Sequence, residues 1–151
     1  MLSISSNLSG VLGSVLNDLR SLAEPNGADR DKLTRMVASD VITQLHERIH
    51  VNGQNTAGQE FGTYSNAYLK RRQKENLSGT KIILRFEGQL EKLTIVGGSN
   101  GSYQIGWLSE NNLQKAKWME ERYGKIYELN QAEQDHAVLI AEDFINQMFS
   151  K

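Results

Sequence analysis

His46-Glu47-Arg48-Ile49-His50 is the stretch of this chain whose residue types and spacing come closest to a reactive arrangement. Two histidines four apart lie on one face of a helix and can share a zinc ion, with the glutamate between them as general base. Gly53 falls where the longer H-E-x-x-H-x-x-G-x-x-H form has its glycine, but Thr56 holds the third-ligand position, and threonine is not a usual zinc ligand. Glu60 is a carboxylate within reach in sequence, yet it stands in a stretch that reads as loop. Arg48 adds a cation beside a would-be dication. The residues therefore read first as two partly exposed helix histidines beside a surface Glu–Arg pair. A small zinc metalloprotease on His46, Glu47 and His50 is the alternative.

Other chemistry is harder still to assemble. His136 has no serine or aspartate pattern about it, and no G-x-S-x-G nucleophile turn is present. The glycines after residue 50 make neither a phosphate cradle nor a dinucleotide fingerprint. Trp107, Trp118, Tyr123 and Tyr127 come about one per strand or helix turn, which fits core or subunit contact better than a base-stacking platform. No cofactor is called for.

The elements that would position these residues follow from periodicity. Ile4, Leu8, Val11, Leu12, Val15, Leu16, Leu19 and Leu22 form one apolar helical stripe over residues 1–22, weakened by Gly10 and Gly13. Glu24-Pro25-Asn26-Gly27 is a turn. A second helix runs from about Asp29 to Ile49, with Leu33, Met36, Val37, Val41, Ile42, Leu45 and Ile49 inward. Residues 50–65 form a long glycine-containing loop anchored on the core by Phe61 and Tyr64. Ser65 caps a short basic helix with Tyr68 and Leu69 inward.

The period then changes. Lys81 to Phe86 reads as a strand with Ile82, Ile83 and Leu84 buried, and LTIVG and YQIGW pair across a Ser99-Asn100-Gly101-Ser102 turn. Ser109 caps a polar helix that Gly124 ends, and KIYEL is a further short strand or extended piece. Asn130 with Glu133 makes a capping box for a last helix that buries Ala137, Ala141, Phe144, Ile145 and Met148. The expected architecture is a single α+β domain over residues 1–151, in which a small antiparallel meander of three or four strands packs against N- and C-terminal helices.

Composition narrows the function classes. The 151 residues include no cysteine, which removes disulfide scaffolds, thiolate metal sites and cysteine nucleophiles. No run nears the roughly 18 apolar residues of a membrane span, and the first residues lack a basic signal-peptide start, so a soluble, intracellularly made protein is expected. The net charge of −1 argues against a dedicated nucleic-acid binder. That total hides an uneven layout. From Ser65 to Arg85 six cations face only Glu75, a net of +5, whereas Ile126 to Ser150 hold five carboxylates and no Lys or Arg. Opposite regions of this kind can be two solvated faces, or they can meet head to tail between copies.

Gly53-Gln-Asn-Thr-Ala-Gly58-Gln-Glu-Phe61-Gly-Thr-Tyr64-Ser65-Asn-Ala-Tyr68-Leu-Lys-Arg71-Arg72 resembles a signature of tailed-phage virion morphogenesis proteins, the neck and tail-completion (head–tail connector) family. Arg48-Ile49 matches the helix end that precedes the glycine loop there. Ile83-Leu84-Arg85-Phe86-Glu87-Gly88-Gln89-Leu90 is similar to the family's I-L-x-x-T-G-x-L step, with Glu87 in place of Thr or Ser. Glu121-Arg122-Tyr123-Gly124-Lys125-Ile126 followed by Leu129-Asn130-Gln131-Ala132-Glu133 is similar to its C-terminal element. The resemblance covers roughly residues 45–150.

It implies a non-enzymatic adaptor, stopper, tail terminator or completion protein of the virion. Copies would be assembled in the host cytoplasm into a ring at the head–tail junction, contacting portal-side and tail-side proteins, with DNA only as cargo and no membrane. The residues expected at subunit or partner contacts are Phe61, Tyr64, Tyr68, Lys70, Arg71, Arg72, Lys74, Glu128, Glu133 and Asp135. A bore that gripped phosphate would stall the genome, so the basic helix from Lys70 to Lys74 is expected to face a protein neighbour.

Overall fold

A computed structural model of the chain describes residues 27–85, 88–99 and 102–150. The helix expected over residues 1–22, the Pro25 turn, Phe86 and Glu87, and the Asn100-Gly101 hairpin turn lie outside the described residues.

The longest element, α1, spans Gly27–His46 and passes without a break into a π-helical turn, Glu47–Val51. Leu33, Val37, Val41, Leu45 and Ile49, four residues apart, are all buried, and Ala38 widens the stripe. Met36 was expected inward but is 39% exposed; it sits on the flank of a stripe that runs in steps of four. A short helix α2, Asn66–Lys74, begins at Ser65, whose hydroxyl accepts from the Tyr68 amide. The sheet is an antiparallel hairpin of β1, Thr94–Ser99, and β2, Ser102–Gly106, with Ile95 opposite Ile105 and a bulge before Gly97. Helix α3, Glu110–Tyr123, ends at Gly124 with φ at 80°, a conformation glycine adopts without steric cost. Ser109 occupies the N-cap of α3, but its side chain makes no capping bond. Helix α4, Gln131–Phe149, opens with the full Asn130–Glu133 capping box.

Helix α4 and the hairpin both pack on α1. Around α1 one apolar cluster joins Leu90, Ile105, Leu113, Ala116, Ile126, Leu129, Ala137, Ala141 and Phe144. Trp107 is fully buried in it, donates from Nε1 to the Leu90 carbonyl at 3.1 Å and meets the Tyr127 ring edge-on. That places Trp107 and Tyr127 in the core and off any stacking surface. The Tyr127 hydroxyl is buried without a hydrogen-bond partner among the described residues, and burial holds its pKa well above the ordinary tyrosine value. His136 and Asp40, 2.8 Å apart, tie α4 to α1. No described helix is long and apolar enough to cross a membrane.

The class is α+β, but the sheet has two strands among the described residues where three or four were expected. The reason is visible in the hydrogen bonds. In the Lys81–Arg85 stretch, the Ile82 amide donates to Gly62 O and the Ile83 amide to the Tyr64 hydroxyl; the carbonyls of Ile83 and Arg85 accept from His50 and Arg72. Leu84, in the middle, has φ at 50°, which no strand allows. In the Lys125–Leu129 stretch, Glu120 accepts the amides of Ile126 and Tyr127, and Arg48 takes the carbonyls of Ile126 and Glu128. Buried and half-buried polar side chains thus satisfy most of these backbone groups, which a ladder would otherwise pair.

Candidate functional site

Arg48 lies on the inward face of the π-helical turn, three residues after Leu45 and one before Ile49, and is 5% exposed. It was expected as the cation of a surface pair with Glu47. Its partner is instead Glu133: Nε donates to Oε1 at 2.6 Å, with both side chains 6% exposed. Nη2 also donates to the carbonyls of Ile126 at 2.8 Å and Glu128 at 2.9 Å, and Nη1 reaches Gln54 O at 3.4 Å. Glu133 uses its other oxygen, Oε2, to accept the Asn130 amide. One buried guanidinium–carboxylate pair therefore joins the end of α1, the glycine loop, the Lys125–Leu129 stretch and the start of α4.

The loop that follows is closed on itself. Gln54 and Glu60 bridge, the Asn55 amide donates to Gln59 O, and Phe61 N donates to Gly53 O at 2.9 Å. The Asn55 side chain donates to Tyr123 O at 2.8 Å, and Thr56 bonds Lys125 O through its amide and Glu128 O through its hydroxyl. The would-be third ligand thus belongs to the C-terminal stretch. Phe61 is buried against the Tyr123 ring, and Glu60 pairs with Lys81 at 2.8 Å.

The two histidines diverge in environment. His46 and His50 rings are 5.3 Å apart, as four-residue spacing requires. His50 is buried rather than partly exposed, with Nδ1 3.0 Å from Ile83 O, so in the neutral ring Nδ1 carries the proton and donates. Burial lowers its pKa below the ordinary histidine value; the Ile83 carbonyl and Glu91 work the other way, and His46 adds to the lowering. His46 is exposed and lies 3.4 Å from Glu91, which also pairs with Arg85 at 3.2 Å. Glu47 is exposed. Among the described residues no group of three or more His, Asp or Glu is placed to hold a metal ion.

Several expected contact residues serve the interior. Arg72 is 2% exposed, its guanidinium stacked 4.4 Å over the Tyr64 ring and donating to the carbonyls of Arg85 and Ser78. Phe61 and Glu133 are buried as described. Lys70, Arg71 and Lys74 remain exposed on α2, and Asp135 is exposed on α4. Glu128 is half-buried and 3.3 Å from Lys125.

The Tyr64 and Tyr68 rings pack 5.0 Å apart, tilted by 40°, and line a cleft of about 850 Å³ between α2, the Lys81–Arg85 stretch and α3. Ile82, Leu84, Leu90, Met119 and Tyr123 supply its apolar lining. Arg85, Lys115 and Arg122 supply its charge, and no described lining residue is acidic. Lys115 and Arg122 were not among the expected contact residues; their spacing on one face of α3, seven apart, was the available sign. The chain matches no family model, no curated protein and no solved structure.

Proposed function

We propose that this chain is a non-enzymatic structural protein of a tailed-phage virion, forming a homo-oligomeric ring at the head–tail junction as an adaptor, stopper, tail terminator or completion protein. The observation that carries the reading is the convergence on Arg48. The helix end, the glycine loop and the Tyr123–Glu133 element each bear part of the resemblance; the first supplies Arg48 and the other two supply its partners. Such motifs are expected together when they encode a scaffold rather than a reaction centre.

The position of the H-E-x-x-H letters supports the same reading. His50 and Arg48 satisfy carbonyls of distant segments, which gives the motif a structural use. Lys70, Arg71 and Lys74 form the exposed basic side of α2, and they meet a protein neighbour rather than the DNA bore, because tight phosphate contacts would hold the genome. Asp135, Glu142 and Asp143 of α4 are exposed as well, a separate acidic surface open to a neighbouring copy.

The test is genetic and compositional. Portal, capsid and tail-tube reading frames flank the gene, mass spectrometry finds the chain in purified particles, and its deletion yields filled heads without infectivity. Particles that lack the chain, with unchanged infectivity on deletion, refute the proposal.

A further inference from the structure

The α2–α3 cleft and the solvent face of α4 share a layout with opposite charge. In the cleft the apolar residues are the more buried: Leu90 is buried and Ile82, Leu84 and Met119 are half-buried, while Arg85 and Arg122 are exposed at the rim. Arg85 already has Glu91. Lys115 donates to Gln89, and Arg122 lies over the Tyr123 ring at 5.4 Å; neither has a carboxylate partner among the described residues. Trp118, on the same face of α3 between Lys115 and Arg122, is 53% exposed. Leu84 is held in the cleft wall at φ 50°, a strained conformation of the sort that collects at binding sites.

Among the described side chains of α4 the exposed large apolar one is Leu139, at 57%. Asp135 stands one turn before it, Asp143 one turn after, and Glu142 beside it, all exposed, with no Lys or Arg from Ile126 to Ser150. Helical spacing puts these four on one face, opposite the face that buries Ala137, Ala141 and Phe144.

We propose that the cleft seats α4 of a second copy, with Leu139 entering the apolar floor and Asp135, Glu142 and Asp143 meeting Lys115, Arg122 and Arg85. A free phosphate or nucleic acid would use the cations and leave the apolar half idle; an acidic helix with one exposed leucine uses both, and this chain carries one. The two surfaces are different and lie on different elements, so the contact is heterologous and propagates into a closed ring or an open filament. The inference rests on the chain being self-assembling, as proposed above, and adds which surfaces meet.

Sedimentation velocity on the full chain, over a concentration series at low and high salt, tests it. The wild type associates, and association weakens with salt because the rim pairs are exposed. Leu139→Asp weakens it by about tenfold or more with an unchanged far-UV spectrum. The double variants Lys115→Glu/Arg122→Glu and Asp135→Lys/Asp143→Lys each sediment as monomers alone. Mixed together they assemble, since each carries the complement of the other. A wild type that stays monomeric overturns the inference, as do single-sided variants that associate like wild type, or a mixture that does not recover. Particles that contain the chain while the variants still associate would leave the virion reading standing and this surface refuted. Rescue on mixing, with the chain missing from particles, would do the reverse.

Discussion

Arg48 and Arg72 are both buried guanidinium groups, and they are held in different ways. Arg48 has a carboxylate at 2.6 Å and at least two close carbonyls. Arg72 has carbonyls and an aromatic face, and its Nε has no partner among the described residues. Removing one member of a buried ion pair strands the other charge, at a cost of about 3–5 kcal/mol. Arg48→Met therefore destabilises by that amount, since Glu133 stays buried. Among the described residues Arg72→Met strands carbonyls and no carboxylate, so its cost is smaller, about 1–3 kcal/mol. Urea unfolding of the two variants checks the order; equal losses would contradict it. His50 gives a second prediction at this scale. Its folded-state pKa is lowered, so below the ordinary value of about 6.5 the unfolded chain binds a proton that the folded chain refuses. Its contribution is whole above about pH 6.5 and is lost as pH falls from there toward the lowered value. The wild-type urea midpoint should drop between about pH 7.5 and pH 5.5. His50→Asn keeps an amide donor for Ile83 O without a titrating ring, and should flatten that slope; an equally steep variant would show that His50 does not carry it.

At the scale of elements, the glycine loop depends on one position more than on the rest. Gly53 has φ at 64°, and a Cβ there would overlap the Ile82 carbonyl oxygen. Gly58 also has positive φ, but a Cβ would meet nothing within 4 Å. Gly53→Ala should therefore cost at least about 2 kcal/mol and Gly58→Ala about 1 kcal/mol, measured by thermal unfolding. Similar losses would show that the close approach at Gly53 relaxes without cost. The four described helices and most of their ends, though not the Ser109 cap, were legible because their causes are local: the Leu33–Ile49 stripe, Ser65, Gly124 and the Asn130–Glu133 box each act within a few residues. The strand count was not. KIILRF has the composition of a strand, yet its backbone partners are Gly62, Tyr64, His50 and Arg72, up to 33 residues away. The same cause hid the site. Arg48 and Arg72 read as surface charges because arginine usually is one, and only tertiary carbonyls turned them inward. Tyr64 and Tyr68 were picked out and do line the cleft, whereas Lys115 and Met119 of its α3 wall were not.

For the whole molecule, the first and last described helices are closed onto each other by Arg48–Glu133 and His136–Asp40, contacts that span most of the described chain. The apolar cluster runs without a gap from α1 through the hairpin and α3 to α4. A core shared this way has no seam along which one part can unfold first, so the transition should be cooperative and two-state. Of the two tryptophans, Trp107 is fully buried against Leu90 and Tyr127, and Trp118 is exposed. In a Trp118→Phe variant, emission then reports the core around the hairpin alone, while far-UV ellipticity reports the helices. The two urea curves should superimpose. If emission changes at a clearly lower urea concentration than ellipticity, the hairpin is a separate unit and the single-core argument fails. Association adds a second signature, because a partner that binds only the folded chain raises its apparent stability with concentration. The wild-type midpoint should therefore rise with protein concentration, and the Leu139→Asp midpoint, with its knob reversed to a charge, should not.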